Sequence, residues 1–293
     1  MYLYRNCTDL AERYCRTFPV LYLIGPRQAG KSYFAKHLRP GWKTFDLENP
    51  QDLDLIFNKT ELFFEQYPTD VIIDEAQVYP QLFKTLRGVI DANRSQKGRF
   101  ILTGSSSPEI TAHLSDSLAG RVGIITMGTL KANELYQTPL SSFYKIFFEP
   151  HTRQTLQLAP PLLSNAQMRQ AWLYGGYPEP FLAQDDQFHK DWMRNYYSTY
   201  ITRDISNLFP RLNKIAYQRF MSTLSAVSGT ILNKADLARA IEVTEKSISE
   251  YLQIAEQTFI WRNIPATAHS KVKRPFKDQA QFCYLTYTKS NRV

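Results

Sequence analysis

The sequence predicts an α/β fold in which a parallel sheet is wrapped by helices, followed by a mainly helical second half. Short apolar runs of strand length recur through the first half, with helix-spaced stretches between them. A glycine-bounded octapeptide sits where the first of these strands meets a helix. Beyond about residue 131 the alternation gives way to longer, aromatic-rich helical segments.

The strands expected are Phe18 to Ile24, Trp42 to Phe45, Val71 to Ile73, Phe100 to Leu102 and Val122 to Thr126, each enriched in β-branched or aromatic residues. Helical spacing runs over Ser32 to Leu38 and Leu82 to Asn93. Alternating strand and helix requires crossover connections, and these make neighbouring strands parallel. A first domain is expected over 1–130 and a helical lid or linker over 131–215, the latter containing the turn Gly175-Gly-Tyr-Pro178 and a helix near Gln187 to Leu208. Three short helices, Tyr217 to Val227, Lys234 to Ile241 and Thr244 to Phe259, then lead into a strand at Ile260 to Ile264. The tight Glu242-Val243 connection suggests a helix-turn-helix with a wing, expected over 216–275.

Hydrophobic content of 43% and charged content of 21% suit a folded chain of about two domains. The N-terminus does not read as a signal peptide and no apolar stretch reaches membrane-span length, so a cytoplasmic protein without a membrane partner is expected. Cys7, Cys15 and Cys283 lack metal-ligand spacing and are odd in number, which argues against a zinc site or a disulfide framework. The net charge of +8 is concentrated at one end: residues 262–293 carry seven Lys and Arg against one acidic residue. Such an end can contact nucleic acid or an acidic membrane surface, and it can equally be a solvated, partly frayed tail.

The octapeptide Gly25-Pro26-Arg27-Gln28-Ala29-Gly30-Lys31-Ser32, with Tyr33 after it, fits the phosphate-binding P-loop. Its glycines let the backbone curl and aim amide N–H groups at phosphate, and the following helix adds its positive end. Lys31 is expected on the β- and γ-phosphates of ATP, and the Ser32 hydroxyl on Mg²⁺. Val71-Ile-Ile-Asp74-Glu75 supplies a strand carrying carboxylates to the sheet edge. Asp74 is expected to hold Mg²⁺ and Glu75 to deprotonate the attacking water. Read alone, an acidic strand end can also cap the next helix. Arg27 and Gln77 lie near the site without an assigned role.

The motifs GPRQAGKS, DEAQ, LTGSS (Leu102 to Ser106) and SLAGRV (Ser117 to Val122), with GGYPEP at 175 to 180, resemble the AAA+ ATPases. More narrowly, they resemble the bacterial and archaeal ATP-binding proteins that join an AAA+ core to a C-terminal region of unknown function. The resemblance implies a P-loop NTPase sheet ordered 5-1-4-3-2, with Thr103 or Ser105 as the sensor of the γ-phosphate or the water. It makes Arg121 an arginine finger given to a neighbouring subunit of a homo-oligomer. A serine-rich turn and a surface salt bridge remain the plain readings of those residues.

The helix pair Lys234 to Phe259 resembles the winged helix that follows such cores. Thr244, Lys246 and Ser247 would face a DNA groove and Lys271, Lys273 and Arg274 phosphates, although Glu245 and Glu250 oppose this, and docking to protein is an equal alternative. The stripe Trp192, Tyr196, Tyr197 and Tyr200 reads as helix packing. Family members commonly continue past a Lys-rich strand into a further α/β domain. Here that strand is expected at Lys273 to Lys277, and 276–293 is expected to be the remnant of a shortened domain. Three functions therefore compete: a Mg-dependent AAA+ ATPase coupled to conformational change, a nucleotide-gated DNA- or protein-binding module, and a small-molecule kinase.

Overall fold

A computed structural model describes residues 2–105, 118–141, 161–200, 205, 209–210, 212–264 and 280–283, the last four as backbone only. The chain divides into two compact units. The first comprises Met1–Ser105 and Ile110–Ala183, the second Ser106–Glu109 and Gln184–Val293.

The first unit is built on five parallel strands: β1 (Val20–Ile24), β2 (Lys43–Asp46), β3 (Val71–Asp74), β4 (Phe100–Gly104) and β5 (Val122–Thr126). Their order is β2-β3-β4-β1-β5, the predicted 5-1-4-3-2 read from the other edge. The three central strands are apolar almost throughout because helices cover both of their faces. Tyr22, Ile73, Phe100 and Leu102 pack on one face with Phe83, Leu86 and Ile90 of helix α5 (Leu82–Ala92) and with Phe63 and Phe64 of α4 (Thr60–Gln66). Leu21, Leu23, Ile72 and Ile101 pack on the other, against Phe34, Ala35 and Leu38 of α2 (Lys31–Leu38) and Ala11 and Cys15 of α1 (Thr8–Thr17). Helix α3 (Pro50–Phe57) begins with Asn49 accepting from the Gln51 amide and with proline at its first position, a pre-organised start.

The polypeptide beyond β5 does not leave this unit near residue 130. Helices α6 (Ala132–Leu135), α7 (Asn165–Tyr174) and α8 (Pro178–Ala183) form a small apolar cluster in which Leu130, Leu135, Ala171 and Phe181 close over Leu3. The Leu130 amide donates to the Gly176 carbonyl, seating the GGYPEP turn on the segment that follows β5.

The second unit contains α9 (Asp186–Thr199), α10 (Lys214–Ala226), α11 (Lys234–Ile241) and α12 (Glu245–Gln257), with an antiparallel pair β6 (Trp261–Ile264) and β7 (Ala280–Cys283). Each helix opens on a side-chain cap, from Asp185, Asn213, Asn233 and Thr244 in turn. Its core joins Tyr217, Phe220 and Leu224 to Leu237, Ile241, Ile248, Tyr251 and Ala255. Glu242 ends α11 in the left-handed region, at φ 58°, and Glu242, Val243 and the capping Thr244 join it to α12. Of the aromatic stripe on α9 only Tyr200 is buried, donating its hydroxyl to the Thr258 carbonyl; Trp192, Tyr196 and Tyr197 are half-buried, with Trp192 stacked on Tyr196. The described part of this helix runs to Thr199, and most of the rest of the stretch expected up to Leu208 lies outside the described residues. Lys271, Lys273 and Arg274 lie outside the described residues, as does most of 276–293. No helix among the described residues is long and apolar enough to cross a membrane.

Candidate functional site

The carboxyl ends of β1, β3 and β4 bring the predicted residues to one edge of the sheet. Ile24 and Gly104 are paired in register, so the octapeptide leaves β1 level with the polar end of β4. Gly25 is bare because a side chain there would strike the Met127 carbonyl, only 2.0 Å from where a Cβ would sit. Gly30 turns the loop into α2 with φ 86°, a conformation that other residues adopt at a cost. Gln28 also lies in the left-handed region, at φ 61°, which concentrates backbone strain in the loop.

Lys31 is 4% exposed, and its ammonium donates to the carbonyls of Gly25 (3.1 Å) and Pro26 (2.9 Å). Burial pushes its pKa below the ordinary lysine value, opposed by the charges of Glu75 and Asp74. The Ser32 hydroxyl donates to Asp74 Oδ1 at 2.7 Å, and the Thr103 hydroxyl donates to the same oxygen. A hydroxyl and a carboxylate are hard oxygen donors, and with nucleotide phosphates they form the kind of set Mg²⁺ takes. Among the described residues there is no cluster of three or more His, Cys, Asp or Glu that could hold a metal by itself.

Glu75 departs from its neighbour. It takes up a left-handed backbone conformation (φ 51°, ψ 45°) before a 3₁₀ turn at Ala76–Val78, and its amide donates to the Thr103 hydroxyl at 3.2 Å. Its carboxylate accepts from the Gln77 amide, which also donates to Ser105 at 3.0 Å. Thr103 is fully buried, and its hydroxyl is engaged with Asp74 and the Glu75 backbone. Ser105 is the more accessible of the two residues expected to sense the γ-phosphate. Arg27 pairs with Glu48, and Tyr33 is 48% exposed beside the loop.

Arg121 is not brought to this edge. It precedes β5, whose Val122 pairs with Val20 at the start of β1, so it lies at the opposite edge of the sheet. Its guanidinium makes two bonds to Asp91, at 2.7 and 2.8 Å. Five strand residues separate the two edges, roughly 16 Å.

Sequence reasoning missed one wall of the site. A cleft of about 250 Å³ lies beside Ala29, Gly30 and Tyr33, closed by Tyr2, Leu3 and Pro178. Arg5 holds that wall in place. It is 5% exposed and donates to the Ala29 carbonyl at 3.0 Å and to the Gly128 carbonyl at 2.6 Å, while its Nε lies 3.3 Å from the buried Glu134 carboxylate. No local pattern around Arg5 announces this, because its partners come from distant parts of the chain. In the second unit Thr244 and Ser247 are committed to capping α12, whereas Lys246 is exposed.

Residues 17–136 match the sequence model of a family described as an AAA domain, and residues 165–285 match a domain of unknown function (DUF8612). Uncharacterised proteins of Mycobacterium tuberculosis and Mycobacterium bovis are each 27% identical over 262 residues, covering 89% of this chain and 53% of theirs. The chain thus spans about half the length of the curated relatives it matches. Among solved structures, a Walker-type ATPase of Pyrococcus abyssi superimposes with a TM-score of 0.56 at 14% identity, covering 89% of this chain and 91% of that one, a likeness of fold. The strand order, the P-loop and the family match together make residues 17–136 an AAA domain with a P-loop fold, and a domain of unknown function follows it over residues 165–285.

Proposed function

We propose that this chain binds Mg·ATP at the 25–32 loop and hydrolyses it to ADP and phosphate, coupling turnover to a change of conformation. The observation that carries the reading is the division of labour between two adjacent carboxylates. Asp74 is drawn toward Ser32 and Thr103, whereas Glu75 is turned away on a strained backbone toward Gln77 and Ser105. One carboxylate stays with the metal side of the site, and the other is available as a base.

Lys31 exchanges its carbonyl partners for β- and γ-phosphate oxygens, and the loop amides with the N-terminus of α2 hold the remaining charge. Ser32 and Asp74 would hold Mg²⁺, which neutralises phosphate charge when bound. Glu75 takes a proton from water, the water oxygen bonds to the γ-phosphorus, and the bond to the β–γ bridging oxygen breaks, releasing ADP. The cleft bounded by Tyr2, Leu3 and Pro178 is apolar and adjoins the loop, which suits the nucleobase. Ser105 senses the γ-phosphate, and Arg121 serves the site of a neighbouring subunit.

Steady-state turnover of Mg·ATP tests the reading. Lys31→Ala abolishes it, and Glu75→Gln lowers kcat by about 10²–10⁴-fold. Equal turnover in parent and both variants would refute it. The C-terminal domain is assigned a DNA or protein partner on the strength of the exposed Lys246 and the basic end of the chain. Salt-sensitive DNA binding that changes with nucleotide supports DNA, and no binding at low salt excludes it.

A further inference from the structure

We propose that Gln77 is a positioning residue for the general base: its carboxamide anchors one oxygen of the Glu75 carboxylate against Ser105 and leaves the other to take the proton from water. The proposal rests on the hydrolytic reading above.

Four observations carry it. Gln77 Nε2 donates to both Glu75 Oε2 and Ser105 Oγ, so the two amide hydrogens serve the ends of β3 and β4 together. The orientation of the amide follows from chemistry, because an ionised carboxylate only accepts and would repel the amide oxygen. The consequence falls on the opposite atom: Gln77 Oε1 is buried without a hydrogen-bond partner. A side chain placed for stability alone would not leave that carbonyl stranded, since burying an unpaired acceptor is unfavourable. The space it occupies exists because Gly104 has no side chain. A Cβ there would lie 2.6 Å from Gln77 Oε1 and 2.4 Å from the Tyr22 hydroxyl, which is likewise buried and unpaired.

The backbone shows the same investment in geometry. Glu75 sits in the left-handed region, rare for a residue with a side chain, and its amide is tied to Thr103. Thr103 therefore fixes where the residue starts and Gln77 fixes where its carboxylate ends. A flexible glutamate held at both points loses the rotamer freedom that would scatter its basic oxygen, and orientation of this kind governs the rate of proton abstraction rather than nucleotide affinity.

The experiment measures kcat and KM for Mg·ATP, and ADP affinity, in the full chain carrying Gln77→Glu or Gln77→Leu, each alone and combined with Glu75→Gln. Gln77→Glu keeps the shape and replaces the donor with a second carboxylate. Both variants are expected to lower kcat about 10–100-fold, with KM and ADP affinity within about threefold of the parent. In the Glu75→Gln background neither is expected to lower kcat further, because the residue it positions is already gone. Parental kcat in both Gln77 variants, alongside an impaired Glu75→Gln, overturns this role and leaves the hydrolytic reading standing. Matching losses in kcat and ADP affinity also overturn it, by showing that Gln77 merely supports the fold of the site. Parent turnover that Glu75→Gln does not change overturns the hydrolytic reading and this role with it.

Discussion

Lys31 illustrates how a single side chain links folding, titration and ligand binding. Its ammonium is buried, and burial lowers its pKa from the ordinary lysine value. A bound triphosphate favours the charged form, so the complex holds the proton to higher pH than the free protein does. Between those two values binding takes up a proton, and affinity falls as pH rises. Titrating a non-hydrolysable ATP analogue from about pH 7 to about pH 10 should show this loss setting in below the ordinary lysine pKa, and Lys31→Met should abolish the slope. Folding stability moves in the opposite direction. The unfolded lysine binds its proton more tightly than the folded one, so the contribution of this residue to stability rises with pH across the window between the lowered and the ordinary value. Residues such as Lys31, Ser32, Asp74 and Glu75 were readable from sequence because each site segment is contiguous and chemically constrained. Gln77 was visible as a polar neighbour, but its role depends on a bond to Ser105 at the end of another strand.

At the scale of elements, the Arg5–Glu134 pair joins the N-terminal segment to α6, and Arg5 reaches from there to the P-loop. Both side chains are almost fully buried, and removing Arg5 takes the countercharge from a carboxylate that keeps only the Asn6 and Lys131 amides as partners. Arg5→Leu is therefore expected to destabilise the first unit by about 3–5 kcal/mol in denaturant unfolding and to weaken ADP binding as the loop loses its tie at Ala29. The pair could not be read from sequence, since nothing in the spacing of a lone arginine and a distant glutamate specifies contact. The central strands could be read, because burial on both faces leaves continuous apolar runs in the chain. Helix α1 was missed: its fully buried positions are only Ala11 and Cys15, too small to stand out as a stripe. Helices α3 and α4 were missed because they are short and their inward residues Ile56, Phe63 and Phe64 fall on either side of the Asn58-Lys59 break. The boundary expected near 130 reflects the change from strands to helices, whereas the cluster around Leu130 and Phe181 keeps the helices up to Ala183 with the sheet.

For the whole molecule, the position of Arg121 has a direct test. It lies at the sheet edge opposite the P-loop and is paired with Asp91, so it does not serve its own chain's phosphates in this arrangement. Under the proposal that it completes a neighbour's site, Arg121→Ala lowers turnover by about 10³-fold. Chains carrying Arg121→Ala and chains carrying Glu75→Gln should then regain activity on mixing, because one shared site draws its base from the first and its arginine from the second. ATPase rates of the mixture against each variant alone decide the matter, and no gain on mixing would confine the arginine to a structural role. The wall formed by Tyr2 and Leu3 has a practical consequence of another kind. A dye attached through Tyr2→Cys lies against the cleft, and its emission should change as the cleft fills, an occupancy sensor that needs no engineering of the loop itself.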